Sequence, residues 1–564
     1  MGVRMTRGAV AYPGTSLEFK TGSWRVQRPE HEHGAAPCHV ACPAGEDAQA
    51  YLALVEEGRF REAWETIVGA NPLPAVTGRV CHHPCETACN RTQYDEAIAI
   101  HDVERFLGDQ ALKEGWAYPV TPPPASAPSV AVVGAGPAGC SAAYHLIRHG
   151  YQARLFDALP EAGGLLRTAL PTYRLPRDIL DGEIERLLAT GIQFSPGHRL
   201  GRDFSLDELR ADYRAVFLAP GTQRGVEWSI GGQTPRDLHV GLDLLKQWLS
   251  VGSIPTWKSV AIVGGGNTAI DLARVLKRVG VPDVHMITHQ SIPQPGTAGG
   301  PDVMPAIHRE VRQGLEEGVI IHEHRGVQRL VLRGEQVIGV ELVHMKKLPD
   351  ATGERRFVTF EGTESLLHVE QVIPAIGQVL DPTGLEKIAH KQRFLKADAW
   401  GRIAGQERLL VGGDARGDRG TVSEAIGDGR RAVVAIDNLL RSAGEPQESE
   451  RIPLAYERLN LSYYEPAPRP EAPVLPVSER SAYEEIEGAL TRRQVLGEGQ
   501  RCFSCGSCLA CDNCWTLCPD VAVLKTHETA SDGSHYVFDY SYCKGCGLCA
   551  HECPSGYIVM RDEI

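Results

Sequence analysis

No cysteine occurs from Ser141 to Arg501, although the 564-residue chain holds sixteen of them. A redox-active CxxC pair is therefore excluded from the whole central stretch. Basic residues are in deficit: 58 Lys and Arg face 71 Asp and Glu, for a formal net charge of −13. That balance argues against nucleic acid as the main partner, because neutralising phosphates takes a Lys/Arg surplus. It fits a protein kept soluble in the cytoplasm. No run of 18 apolar residues exists, so no membrane span is expected. The opening stretch, MGVRMTRGAVAYPG, lacks the apolar h-region of a signal peptide. There is no low-complexity tract. No Ser-His-Asp arrangement or catalytic cysteine stands out, so no general acid or base is assigned.

What is present is ordered along the chain. The length calls for about three to five domains. The apolar share of 42% and charged share of 23% are ordinary for a soluble protein. Five cysteines lie between Cys38 and Cys89, Cys140 stands alone, and ten lie between Cys502 and Cys553. Without a secretion signal, such clusters point to metal and away from disulfides. The first part carries helical signals such as AGEDAQAYLALVEEGRFREAWETIV, with apolar residues recurring every three or four. TPPPASAPS then reads as a breaker. From Val130, short β-branched runs end in glycine turns and lead into helices, the signature of doubly wound α/β domains. A Pro- and Glu-rich connector follows Leu440, and a Cys-dense unit closes the chain.

Two glycine loops carry the nucleotide chemistry. SVAVVGAGPAGC places Gly134, Gly136 and Gly139, with Pro137 and Ala138 between them, after a strand and at the start of a helix. There the backbone can approach a pyrophosphate seated on the helix N-terminus. Asp157 ends the next strand, as a ribose-binding acid should. SVAIVGGGNTAID repeats the pattern with Gly264, Gly266 and Ala269. Two loops imply two dinucleotides. The second domain reads as an insertion into the first, which resumes with VIPAIGQ, containing Gly377, and with LLVGGDARGDRGTVSEAIGDGRRA. In that segment Gly413 and Asp414 end a strand. Thr421 and Val422 begin a helix, continued by Ala425, whose N-terminus can meet a flavin.

The C-terminal unit reads C508-x2-C511-x2-C514-x3-C518-P and then C543-x2-C546-x2-C549-x3-C553-P. In this bacterial ferredoxin pattern each fourth cysteine ligates the other cluster. Cys508, Cys511, Cys514 and Cys553 should hold one [4Fe–4S] cluster. Cys543, Cys546, Cys549 and Cys518 should hold the second.

The stretches GAGPAG, GGLLRTALPTYRLP, APGT, GGGNTAID, MPA followed by EEGV, AIGQ, and GGD with EAIGDGR together resemble the glutamate synthase small-subunit family. That family is related to the reductase half of dihydropyrimidine dehydrogenase. The likeness covers roughly residues 35–440. It implies FAD at the first loop, contacted by Gly136, Ala138, Asp157, Gly164, Leu165, Arg167, Asp414 and Val422. It implies a nicotinamide dinucleotide at the second, faced by Gly266, Asn267, Thr268 and Asp271. The family usually follows the strand DVHMI with a Tyr-Arg-Arg-like run that grips the 2′-phosphate of NADPH. Here Thr288, His289 and Gln290 occupy those positions. Loss of the guanidinium fork predicts NAD(H) in preference to NADP(H).

The resemblance extends to APCHVACP and GRVCHHPCETACN. It implies one cluster held by Cys42, Cys81, Cys85 and Glu104, the last from the helix of IAIHDVERF. The family's second N-terminal cluster draws on a CxxC just upstream of Cys38, and no cysteine stands there. Two readings remain. The cluster has been lost and Cys38 and Cys89 are spare thiols, or Cys502 and Cys505 of QRCFSCG fold back to complete it. On the second reading fifteen cysteines and Glu104 make sixteen ligands for four clusters; on the first there are three. Cys140 is left over as a buried thiol. His82 and His83 read as histidines near the ligands or on the surface, Glu316–Glu317 as a solvated helix face, and His31 and His33 as loop residues.

The expected organisation is α/β and multidomain, with two nested Rossmann-like domains between an α-helical iron–sulfur domain and a ferredoxin domain. The boundaries are 1–125 for the helical iron–sulfur domain, 128–257 and 371–445 for the FAD-binding domain, and 258–370 for the NAD(P)-binding domain. Residues 446–497 form a linker and 498–564 the ferredoxin-like domain. A dinucleotide gives up electrons in pairs and clusters take them singly, so a flavin must stand between. The expected activity is electron exchange between NAD(H) and a redox partner subunit or ferredoxin, in a hetero-oligomer. A 2-oxoacid:ferredoxin oxidoreductase would suit, as would the glutamate synthase large subunit. A non-catalytic wiring module and a bifurcating flavoprotein are further alternatives.

Overall fold

The computed structural model describes residues 20–563 apart from 33, 229–237, 295–299, 301, 351–352, 390–391, 418–419, 448–450 and 528–532. His33 and the opening stretch thus lie outside the described residues. The N-terminal layer is helical because its apolar residues recur at helical spacing. The helix Phe60–Val68 buries Phe60, Ala63, Trp64, Ile67 and Val68 on one face. The helices Pro74–Val80 and Ile100–Glu114 cross at very close range. A Cβ on Gly78 would stand 2.5 Å from the Arg105 nitrogen, and one on Gly108 2.4 Å from the Ala75 nitrogen. That glycine-permitted crossing brings the Cys81 end of one helix beside Glu104 on the other.

Two parallel sheets follow. The first has the order Leu409–Val411, Val216–Leu218, Ser129–Val133, Gln152–Phe156, Gln193–Ser195, so its first strand in space is its last in sequence. The second, ordered Gln371–Pro374, Ser259–Val263, Asp283–Ile287, Ile320–His322, is interposed in the chain between strands of the first. This is the nested doubly wound arrangement, and all connections are parallel. The helix Val422–Arg441 packs back on the helix Pro137–Arg148, where Gly429 lets its backbone approach Ala138. Three antiparallel strands, Arg325–Arg333, Gln336–Pro349 and Arg355–Leu367, extend from the second domain. One continuous core joins the helical layer to the first sheet, since Trp64, Val130, Ile147 and Ile436 belong to the same cluster.

Two expectations, at His31 and Glu317, give way. His31 is not in a loop: it ends the strand Gln27–His31, which pairs antiparallel with Ile558–Asp562 in the C-terminal unit. Its ring stacks on Tyr557 at 5.0 Å. The described part of the 446–497 linker is docked on the second domain. Tyr483 stacks on Trp248, the Arg278 guanidinium donates to the Ser481 carbonyl at 2.8 Å, and Ala482 and Ile486 join the second domain's core. Glu317 is not solvated. It is buried among Arg274, Arg278 and Arg480 at 3.0, 2.6 and 3.1 Å, while Glu316 accepts from Arg480. Their positions on the helix were readable; the arginines arrive from elsewhere in the chain.

Candidate functional site

A cavity of about 860 Å³ gathers residues of the nucleotide loops, within the size range of cofactor sites. It is lined by Gly134, Gly136, Pro137, Ala138, Asp157, Gly164, Leu165 and Arg167, and across from them by Gly413, Asp414, Thr421, Val422 and Ala425. The glycines are demanded by space. A Cβ on Gly139 would fall inside contact distance of the Gly134 carbonyl oxygen, and one on Gly164 would reach 2.9 Å from the Gly136 Cα. Gly134 also has φ +103, open only to glycine. Asp157 accepts from the Ala135 amide at 2.6 Å and the Leu159 amide at 2.8 Å. It thereby braces the loop while its second lone pairs stay available to a ribose. Asp414 is held up by burial and accepts weakly from Thr222 at 3.5 Å. Thr421 caps the helix Val422–Arg441 by accepting from the Glu424 amide, leaving the preceding backbone turned to the cavity. The chemistry of this cradle, glycine-bared backbone at one wall and a helix N-terminus at the other, fits FAD.

The second loop contributes Asn267, Thr268 and Asp271 to the same cavity. Asn267 accepts from the Ile307 amide at 3.0 Å, and Thr268 from the Gln378 side chain at 3.1 Å. Asp271 is tied down by Arg174, whose Nη1 lies 2.8 Å from both carboxylate oxygens. Burial pushes Asp271 up, against the pull of Arg174. Arg174 also meets Glu310 at 3.1 Å; burial opposes ionisation there, yet Arg174 and Arg274 bring Glu310 down to about 2. This buried network bolts one dinucleotide domain to the other. Gly139, Gly264, Gly266, Gly377, Thr288 and His289 do not line the cavity. Gly264 and Gly377 have φ +146 and +112 and serve the turns. Thr288 and Gln290 face the Gly265 backbone, while His289 packs edge-on against Phe357 at 4.8 Å. Burial, with Lys347 nearby, lowers the His289 pKa and favours the neutral ring.

Sequence reasoning missed several lining residues. Val80 and His82, from the helical layer, reach the cavity, as do Arg174, Lys246 and Gln378. No local pattern marks them, because the contacts join segments far apart in sequence.

The thiols fall into groups outside this cavity. Cys42, Cys81, Cys85 and Glu104 rim a small pocket with Glu46, Tyr51, Thr77 and His83. Cys81 lies 3.5 Å from the Ser423 hydroxyl, one residue past Val422, so this pocket abuts the flavin cradle. Burial and the neighbouring Glu46 hold Glu104 well up, and it accepts from Asn71 at 3.0 Å and from Thr77. His83 is buried beside these residues and stacks on His101 at 4.3 Å. Cys518, Cys543, Cys546 and Cys549 rim a second small pocket. Cys514 is pushed up to about 12 by burial and then by Cys511 and Cys508, with Cys549 and Cys553 adding to it. Among the described residues no three such side chains close to the spacing of one ion. The interlocked C-x2-C-x2-C-x3-C-P spacing of the C-terminal unit is that of paired clusters and not of zinc sites. The donor sets fit [4Fe–4S] clusters. Cys140 is buried, with its sulfur 3.3 Å from the Ala135 carbonyl, outside every group.

No helix among the described residues is long and apolar enough to cross a membrane. Residues 31–116 match the family described as dihydropyrimidine dehydrogenase domain II, 4Fe-4S cluster. Residues 128–429 match pyridine nucleotide-disulphide oxidoreductase, and residues 536–558 a 4Fe-4S binding domain. The chain is 35% identical over 508 residues to the NADP(+)-dependent formate dehydrogenase subunit beta of Moorella thermoacetica, covering 83% of this chain and 70% of that one. It is 33% identical to the NADPH-Fe(3+) oxidoreductase subunit beta of Geobacter sulfurreducens, covering 87% and 78%. It is 31% identical to the glutamate synthase [NADPH] small chain of Escherichia coli, covering 72% and 88%. These matches bear out the resemblance drawn from the motifs and the expected order of domains.

Proposed function

Because this chain belongs to the pyridine nucleotide-disulphide oxidoreductase family, with iron–sulfur domains at both ends, we propose that it exchanges electrons between NAD(H) and a one-electron partner docked at its ferredoxin unit. It is an FAD-dependent NAD(P)H oxidoreductase of the iron–sulfur electron-transfer type. The observation that carries the reading is the shared cavity. Residues of both nucleotide loops line it, and Val80 and His82, which flank Cys81, reach it from the cluster side. FAD, when bound, takes electrons in pairs and releases them singly. The chain's own part is positional. Gly134, Gly136 and the helix starting at Val422 cradle one nucleotide. Asn267 and Thr268 present the other, and the Arg174–Asp271 pair holds the two domains in register.

The relatives' names specify NADP(H). At the strand end after Ile287, however, this chain offers Thr288, a neutral His289 and Gln290, whose amide donates to the Val303 carbonyl at 2.9 Å. Lys347, packed on Phe357 beside His289, is a point charge without the bidentate fork. These features support NAD(H). Comparing kcat/KM for NADH and NADPH checks it: a preference for NADPH of tenfold or more overturns the assignment. We assign the chain to a cytoplasmic hetero-oligomer, with a 2-oxoacid:ferredoxin oxidoreductase or a comparable enzyme as partner. Anaerobic mixing with NADH should bleach the flavin absorbance and then the cluster absorbance. A flavin that dithionite reduces but NADH does not would leave only a wiring role.

A further inference from the structure

The segments that carry Cys38, Cys89, Cys502 and Cys505 come together at one place, although more than 400 residues separate Cys89 from Cys502. Cys38 and Cys85 belong to the main core, and Cys89, Cys502 and Cys505 pack against it. The Asn90 amide, next in chain to Cys89, lies 3.6 Å from the Cys505 sulfur. Gly506 presses on the chain just before Cys38: a Cβ there would overlap the Gly34 carbonyl oxygen. The Asn90 amide also donates to the Leu454 carbonyl at 3.1 Å, and the Leu454 backbone amide to the Ala35 carbonyl at 3.0 Å, which ties Cys89 to the segment of Cys38. We propose that these four cysteines hold a [4Fe–4S] cluster, with two ligands from each end of the chain. The proposal rests on the iron–sulfur reading above and names a ligand set that the glycine loops and ferredoxin spacing do not contain.

The surroundings are built for this. The helix Arg492–Arg501, which delivers Cys502, is fastened along its length. Glu498 accepts from the Ala99 amide at 2.6 Å, and the Arg501 guanidinium donates to the Glu96 carbonyl at 2.8 Å. Arg91 reaches the Arg501 carbonyl and lies over the Phe503 ring at 4.9 Å. At Gly499 a Cβ would stand 2.8 Å from the Glu56 nitrogen, so only glycine allows the helix to seat on Ala48–Glu56. Ser504, held at φ +48, turns its amide to the Cys502 sulfur at 3.4 Å. Amide donors of this kind stabilise thiolate ligands. A free CxxC dithiol would need none of these distant clamps.

The position matters as well as the count. The helices Pro37–Ala41 and Pro84–Thr87, which carry Cys38 and Cys85, pack together, so the set adjoins the pocket beside the flavin cradle. Tyr464 donates to the Phe503 carbonyl at 3.0 Å, and the Gly506 amide donates to the Ser555 carbonyl at 2.8 Å, which joins the segment of Cys505 to that of Cys553. The ferredoxin unit is thus wired in register with the reductase and does not swing on a tether.

The test is iron and acid-labile sulfide per FAD in anaerobically purified protein, with cluster EPR alongside. About sixteen irons per chain are expected from four cubanes, falling to about twelve in Cys502→Ser/Cys505→Ser. Cys38→Ser/Cys89→Ser should lose the same four, and the quadruple variant no more. FAD content and flavin bleaching by NADH should survive, which separates this loss from unfolding. Wild-type protein with about twelve irons, double variants that retain all sixteen, or a Cys502–Cys505 disulfide in the native protein would overturn the proposal. If the variants lose FAD and misfold, the wild-type count decides alone. Iron near zero with FAD present would instead refute the iron–sulfur reading.

Discussion

The two ends of the chain build iron–sulfur sites in opposite ways. The ferredoxin unit carries the eight cysteines of its doubled motif in one short segment, and Cys511 and Cys546 are exposed. The N-terminal set beside the flavin cradle draws Cys42, Cys81, Cys85 and Glu104 from four helices or their C-terminal ends, and Cys81, Cys85 and Glu104 are buried. Local spacing suffices where the ligands wrap their own cluster near solvent. A cluster that must touch a flavin cavity has to be assembled inside a core. The price is tight helix crossing at Gly78 and Gly108.

Breaking each end should therefore have unequal effects. Cys81→Ser should leave NADH bleaching of the flavin intact yet all but abolish reduction of the ferredoxin unit. Cys546→Ser should spare every step before the last cluster. Rapid-freeze EPR after NADH mixing distinguishes them, and equal effects would refute the linear order. Next in size, Arg174→Ala should cost about 3–5 kcal/mol, because Asp271 and Glu310 would be left buried and uncompensated. Chemical denaturation followed by flavin release measures it; a loss below about 1 kcal/mol would show that the network does not join the two domains. A chelator with mild oxidant should strip the exposed ferredoxin clusters first, roughly half the expected iron, before the buried sets respond. Simultaneous loss would show that exposure does not set their lability. The smallest expected effect is at Lys347→Ala, which should weaken NADPH by about tenfold or less and leave NADH unchanged, read as KM.

Much of this was legible without coordinates. The glycine loops are short-range signals, since strand, turn and helix start lie within about a dozen residues. The doubled ferredoxin spacing is likewise local. Arg174, Val80 and His82 were not legible as cavity residues, because each reaches it from a segment distant in sequence. Glu317 looked like surface because helix periodicity reports position on the helix but not which guanidinium groups arrive to cover it. Where the connector docks was not legible either, because Pro- and Glu-rich composition says nothing of a surface made by other domains. His31 looked like loop because its strand partner, Ile558, stands at the far end of the chain.

The sequence by itself determined the cofactor classes and the order of domains, since backbone-bared glycines and cysteine spacing dictate what can bind within one segment. Only the tertiary structure decided how those segments meet. It set Cys81 behind the flavin cradle, seated the connector on the second domain, and brought Cys502 and Cys505 to Cys38 and Cys89. The physical reason is that such contacts depend on which buried surfaces pack together. Packing is a property of the whole core and not of any stretch of residues.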